Sequence, residues 1–458
     1  MVYEPPHVDE LAASRSLLME PRFGALWLTQ GLSQTAQNAI LFTLLVLVLN
    51  LTGSSTASSV LVLAFILPSI FIGVFVGVLL DRWNKGTVLL VTNLIRAGAC
   101  LLYLFFNDDV LAIYAISLVF SSCGLFFNPA IVSLIPAFVP REKLVNANSL
   151  YNFTLTGAQL LGMVFLAPAF LQAGDERAMF ICAATLYTLS AGLALWLSYQ
   201  KVEGEVELPR GPLFGGLPAQ FRESWKALTS DVASAVAMMQ MTMSATLVLL
   251  FAILIPRYMD DVLKVSPSNA ALLFAPTGIG ALIGLRFIPW FTRRWGKNEV
   301  VIFGLVGLAI AIALLATVRG LVEIMETTPG PLNPEEWLGI SFLNALTMAF
   351  AFPMGFSYAL LNAPAQTVLH ERAPPEMRGR IFATQVVSAN FISLLPLLMV
   401  GAITDFAGIT AVLLGISVFL IGFAILSART GAQTGGEPPP PPRPERVPSS
   451  VDTPSRLG

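Results

Sequence analysis

The sequence predicts an all-α, polytopic membrane protein of about twelve transmembrane helices arranged as two six-helix pseudo-repeats. Three observations carry that reading. Of 458 residues, 55% are hydrophobic and only 12% charged, where soluble domains carry about a quarter charged residues. Apolar runs of about 20 residues, the length that crosses a hydrocarbon core as helix, recur from Phe23 to Leu426. A polar stretch from Lys201 to Ser230 divides those runs six from six.

The chain opens with a polar, partly acidic segment, residues 1–22, holding Glu4, Asp9, Glu10 and Glu20. No A-x-A-like cleavage site follows the first apolar run, so that run reads as a retained span rather than a signal peptide. Charges, Gly, Pro and Asn bound the first six spans at 23–49, 59–80, 87–106, 110–135, 145–172 and 178–199. These make a first bundle over residues 23–200, followed by a linker at 201–230. The second bundle, 231–429, has spans at 232–256, 268–291, 299–318, 337–366, 379–404 and 409–428. Residues 430–458 include "GAQTGGEPPPPPRPERVPSS", too rich in Pro, Gly and Ser to pack a core, and are expected to form a disordered tail. A proline-rich ligand for a partner domain is the alternative reading of that tail.

Lys and Arg set the orientation. With both termini inside, the inner segments hold Arg15, Arg22, Arg82, Lys85, Arg141, Lys143, Lys201, Arg210, Arg222, Lys226, Arg293, Arg294, Lys297, Arg372, Arg378, Arg380 and the tail arginines. The outer loops hold only Arg177, Arg257, Lys264 and Arg319. The asymmetry predicts cytoplasmic termini.

Several function classes lack their raw material. A net charge of −2 offers no basic face for nucleic acid. Cys100, Cys123 and Cys182 lie in apolar runs without paired spacing, so neither disulfides nor a metal site are expected. His7 and His370 are the only histidines, and the spans hold no acid/base or metal constellation. No cofactor is expected, and an enzyme is the weakest option.

An internal repeat is visible. "NPAIVSLIPAFVPREK" (Asn128 to Lys143) is echoed by "APAQTVLHERAPPEMR" (Ala363 to Arg378), with Pro129 and Pro364 each eleven residues ahead of Pro140 and Pro375. The span after each copy closes near a Gly, at Gly174 and Gly408. Parallel six-span repeats about a midplane site are a transporter organisation.

The polar residues inside this apolar frame are the functional candidates. Arg96 sits about nine residues into the third span, roughly 14 Å by helical rise. A charge at that depth is a functional-site hypothesis; the alternative is a side chain that snorkels inward or pairs with carbonyls. The first span offers Gln30, Gln34, Gln37 and Asn38, of which 30, 34 and 37 fall on one helical face. Asn152, Thr156 and Gln159 follow in the fifth, Gln240 and Thr242 in the seventh, and Gln385, Ser388 and Asn390 in the eleventh. They read either as the lining of a site for a bulky amphiphile or as hydrogen-bonding glue between helices. No Asp or Glu lies in mid-span; Asp81, Asp231, Glu299 and Asp405 touch the boundaries. A proton relay would therefore have to use Asp81 or Asp405.

"GVLLDRWNKG" (Gly77 to Gly86) resembles the loop signature of the major facilitator superfamily, G-x-x-x-D-R-x-G followed by basic residues, after the second span. "NPAIVSLIPAFVPREKLVNANSL" (Asn128 to Leu150) and "HERAPPEMRGRIFA" (His370 to Ala383) are similar to span junctions of its bacterial siderophore, macrolide and multidrug efflux branch. The resemblance covers about Pro21 to Arg429. It implies that Asp81, in a motif with Gly77, Arg82 and Lys85, faces the start of the eleventh span at Arg378, Gly379 and Arg380 and holds an inner gate shut, while Arg82 and Lys85 read chiefly as topology anchors. The bland alternative has Asp81 capping the turn into the third span. The signature's second Gly is Asn84 here, which also tolerates a left-handed turn, and its last basic position is Gly86. The second-half copy, "FTRRWGKN", lacks the Asp; the fourth span lacks the Arg of many proton-coupled members; the fifth keeps little of the antiporter pattern beyond Gly157 and Gly162.

The resemblance implies a secondary active transporter of a bacterial-type plasma (inner) membrane, exporting a drug, siderophore or lipid-like metabolite by alternating access. Its expected partners are that small molecule and the bilayer, with protons as the family's coupling ion, and a monomer is expected. The rivals are an importer or facilitator of the same fold and a non-transporting membrane receptor or scaffold.

Overall fold

Twelve helices long and apolar enough to cross a membrane make up the computed structural model. It describes residues 17–140, 143–200, 231–266, 269–326, 341–372 and 378–431, with scattered positions between 222 and 229. The first 16 residues, most of the linker and the tail after Gly431 lie outside the described residues.

The first half runs α1 (Pro21–Thr52), α2 (Ser55–Arg82), α3 (Lys85–Tyr103), α4 (Val110–Phe138), α5 and α6 (Glu176–Ser198). Helix α5 begins as Leu144–Gln159, widens into a π-helical segment Leu160–Leu166 and ends as Ala167–Gln172. The second half runs α7 (Val232–Tyr258, continued as the π-helical Met259–Leu263), α8 (Ala270–Trp295), α9 (Lys297–Ala316), α10 (Phe342–Arg372), α11 (Arg378–Ala407) and α12 (Ile409–Gly431). A short helix, Val318–Glu326, follows α9.

Polar residues between apolar runs start and stop these helices. Pro21, which has no N–H to satisfy, opens α1. Ser54, Asn84, Asp109, Asp175 and Asp231 cap α2, α3, α4, α6 and α7 by accepting first-turn backbone N–H groups. Asn84 has φ −62°, so it serves the turn as an N-cap in an extended conformation and not as a left-handed residue. Gly174 and Gly408, the closing glycines of the repeat, both turn the chain left-handed, at φ 68° and 80°.

The turns after odd-numbered helices lie at one end, here the distal end. The described chain begins and finishes at the other, proximal end. Apolar packing differs between the two. A single buried cluster joins residues of both halves, among them Leu45, Leu61, Phe120, Phe180, Ile253, Leu305 and Leu397, mostly in the distal parts of their helices. Proximally, the described residues form two separate clusters. One, around Phe23, Leu89, Phe127 and Ile135, belongs to the first half, and the other, around Leu228, Met238, Leu369 and Ile381, to the linker and second half. Among the described residues the two halves thus share one apolar core distally, while proximally each half has its own.

Candidate functional site

The contact between the halves runs along α2 and α11, which cross antiparallel. At its distal end Asp405, in the last turn of α11, meets the first turn of α2. One carboxylate oxygen accepts the Ser55 N–H at 2.8 Å; the other accepts the Thr56 N–H at 3.0 Å and the Ser54 and Thr56 hydroxyls, each at 2.7 Å. Free N–H groups and the positive dipole end of a helix are the natural partners of a carboxylate. One turn further in, Gly401 lies so close to Ser55, Thr56 and Ser59 that a side-chain carbon would collide with backbone. Asn390 then donates to the Ser69 hydroxyl at 2.8 Å, and Gly73 faces Val387. A second clamp grips the same distal turn: Arg257 of α7, bonded to Asp261 at 2.6 Å, donates to the Gly53 carbonyl at 2.8 Å. The sequence marks Asp405 as a boundary acid and a candidate proton-relay member, not as a contact between the halves. The signal left unused was the Ser54-Ser55-Thr56 run, a row of donors at a helix start.

The second feature is a charge inside the first half. Arg96 is 1% exposed. Its Nε donates to the Phe120 carbonyl at 3.3 Å, one terminal nitrogen to the Ser33 hydroxyl at 3.3 Å, and the other to Gln37 Oε1 at 2.9 Å. Ser33 in turn donates to Asn93 Oδ1 at 3.0 Å. The guanidinium carbon lies 5.1 to 5.7 Å from the ring centres of Phe120, Phe127 and Tyr187, within cation–π range. Its charge is met by dipoles and π faces; among the described residues it has no ion pair. Gly124 of α4 makes the arrangement possible, since a side-chain carbon there would occupy the position of a guanidinium nitrogen.

The amides of α1 tie the first half together. Gln30 is buried and donates to the Tyr151 carbonyl at 3.2 Å, Gln34 is buried and donates to Asn128, and Asn38 donates to the Gln34 carbonyl at 2.8 Å. Gln37, half-buried, is the outermost member of the Arg96 network. In the second half Gln240 bonds Ser427 at 2.7 Å, and it lines a proximal cavity of about 150 Å³ with Lys297, Asn298 and Arg372. Gln385 is buried, Gln159 is exposed, and Asn390 belongs to the α2–α11 seam. Ser388 lines a groove of about 460 Å³ with Arg222 and Trp225 beside that seam. The structure therefore brings Gln37 to Arg96 and Asn390 to α2, and it keeps Gln240 in a separate place. The side chains of Asn152 and Thr156 lie outside the described ones.

Of the loop signature, Lys85 starts α3, and Gly86 lies against the Ser198 backbone of α6, so close that any side chain would collide. That contact leaves no room for the basic side chain that the signature carries at this position. Gly77, Asp81 and Arg82 end α2, while Arg378, Gly379 and Arg380 open α11; the side chains of these six lie outside the described ones.

Twelve helices long and apolar enough to cross a membrane, in two halves that meet along an antiparallel seam, form the frame of a carrier. The chain belongs to the Major Facilitator Superfamily, whose family model matches residues 26–330. The superfamily's members are transporters, not enzymes. Over 285 residues the chain is 24% identical to the uncharacterized MFS-type transporter YvqJ of Bacillus subtilis (strain 168), covering 61% of this chain and 60% of that protein's length. Over 348 residues it is 21% identical to the multidrug efflux pump Tap of Mycolicibacterium fortuitum, covering 74% and 77% of the two chains. Solved structures share the fold at low identity. The nucleoside transporter NupG superposes with a TM-score of 0.69 at 13% identity, over 90% of this chain and 99% of its own. A bacterial homologue of the iron transporter ferroportin, in an inward-facing state, superposes with a TM-score of 0.66 at 14% identity, over 89% and 98%.

Proposed function

We propose that this carrier exports a small amphiphilic organic molecule, of the drug, siderophore or lipid-like class, from a bacterial-type cell by alternating access. The observation that carries the mechanism is the α2–α11 seam, shut distally by Asp405, where the described apolar core runs across both halves. The Lys/Arg asymmetry supports a cytoplasmic proximal end, and in this reading the form with its distal gate shut is the one that loads from inside. Support for export comes from the likeness to the multidrug efflux pump Tap. Support for an amphiphilic substrate comes from the neutral polar groups, chiefly amides, that the bundles offer in place of acids.

The seam suggests how the cycle turns. Along it, each advance on α2 is matched by a nearly equal retreat on α11, from Ser55 with Asp405 to Gly73 with Val387. Eight residues on from Gly73 is Asp81; eight back from Val387 is Gly379. In this proposal Asp81 meets the first turn of α11 in the opposite state, as Asp405 meets that of α2 in this one. Tilting one helix on the other lengthens one contact as it shortens the other, so the two gates alternate.

The test is transport in proteoliposomes containing the purified chain, screening amphiphilic dyes and siderophores with and without an imposed pH gradient. Export is supported by accumulation in vesicles whose proximal face is outward, and Asp81→Asn should reduce it while increasing cysteine accessibility at the proximal end. Accumulation only in the opposite vesicle orientation would make the chain an importer. Flux indifferent to the pH gradient would remove proton antiport.

A further inference from the structure

Outside the seam and the Arg96 network, the proximal part of α8 carries two cations without an acid. Arg286 and Arg293 stand two turns apart, about 10 Å by helical rise, with Trp290 between them on the same face. Both are exposed, and among the described residues neither takes part in a hydrogen bond or ion pair. With Phe287, Pro289 and Trp290 they line a groove of about 510 Å³. Its aromatic wall is braced: the Trp290 ring lies edge-on to Phe291 at 4.9 Å and to Trp295 at 5.7 Å, and Trp295 lies 5.4 Å from Phe303 of α9.

Towards mid-membrane the same face continues as Ile279, Leu282 and Ile283, which are 55%, 51% and 37% exposed. Residues 279, 282, 283, 286, 290 and 293 follow the spacing of one helix face. The opposite face of α8 presents Gly280 and Gly284 to α10. A stripe that is apolar in mid-membrane and cationic and aromatic at the helix end matches one phospholipid standing along the bilayer normal. Its acyl chain lies on the aliphatic residues, its phosphodiester between two guanidinium groups, and its glycerol against the indole. Guanidinium matches phosphate in charge and in fork geometry, and interfacial Trp marks the headgroup level.

We infer that this face of α8 binds an anionic phospholipid of the phosphatidylglycerol class in the proximal leaflet. A choline headgroup would bring a third cation towards the two arginines, and a second copy of the chain across a two-fold axis would set arginine against arginine. The inference rests on membrane embedding alone and stands whatever the substrate.

The experiment is native mass spectrometry of the delipidated full chain titrated with 1-palmitoyl-2-oleoyl phosphatidylglycerol or with its phosphatidylcholine counterpart. Two arginines at the surface of an anionic lipid should give about a 30-fold preference for the glycerol lipid. R286Q/R293Q should bring its binding down to the choline lipid's level, without changing the latter. R286K/R293K keeps the charges that orient the helix, and so serves if the first variant fails to fold. It should still lose several-fold through the missing bidentate contacts. Equal binding of the two lipids by the wild type, unchanged retention in both variants, or full displacement by millimolar inorganic phosphate would overturn the inference. A dimer abolished by R286Q/R293Q would overturn it as well, in favour of a protein contact.

Discussion

Arg96 of α3 occupies the space that a side chain at Gly124 of α4 would fill, with a guanidinium nitrogen lying over the glycine. Charge and small residue are one unit: the cation bonds Gln37 and Ser33 of α1 while its guanidinium lies in the space that Gly124 leaves open.

Gly124→Ala should therefore lower thermal stability by about 1–3 kcal/mol, the usual cost of overpacking. Arg96→Gln should also destabilise, but the double variant should fall short of the sum by more than about 0.5 kcal/mol, because the shorter side chain vacates the space. Thermal unfolding of the four proteins in one detergent measures the cycle, and strict additivity would separate the two residues.

Asp405→Asn keeps one acceptor oxygen but removes the charge that holds the first turn of α2. Charge-assisted bonds are worth about 1.5–3 kcal/mol, and Asp405 is exposed, so the lower end applies. A shift of about tenfold towards the distally open form is expected. Impermeant maleimide labelling of Ser59→Cys, in a chain lacking Cys100, Cys123 and Cys182, reads this directly. Labelling at the wild-type rate would dismiss Asp405 as a latch.

Gly401→Leu attacks the same seam by volume rather than charge. Its side chain meets the Ser55 carbonyl and the Thr56 backbone, neither of which can swing aside, so the distal seam cannot close. Transport should collapse while the protein still folds and labels distally. Normal turnover would mean that α2 and α11 separate there in every state.

Gly86→Lys would restore the basic residue that the family signature carries. It should nonetheless destabilise by about 1–3 kcal/mol through collision with the Ser198 backbone. Gly98→Ala, on the same helix with open space around it, should instead be neutral or stabilising by up to about 1 kcal/mol. Paired melting curves distinguish the two.

What the sequence yields depends on how local the cause is. All twelve spans were legible because bilayer thickness and apolar length act on each segment alone. Helix α7 runs past its predicted end at residue 256, to Leu263, because Arg257, Asp260 and Asp261 remain helical while Arg257 pairs with Asp261 and Gly53. Asn84 was read for its tolerance of a left-handed turn, yet it acts through its side chain as a cap. The depth of Arg96 could be counted from the span's start, but not its partners on α1, α4 and α6. Asp405 and Ser55 are 350 residues apart, and no periodicity connects them.

The burial of Arg96 has an electrical consequence. Its guanidinium sets a positive charge inside the first half, at a depth where the membrane field acts. Moving one elementary charge across the full potential is worth about 2.3 kcal/mol per 100 mV. Any rocking step that carries α3 along the bilayer normal therefore does work against the membrane voltage, in proportion to the fraction of the field crossed. The resting potential would bias this carrier between its two faces even when the cargo is uncharged and no ion travels with it.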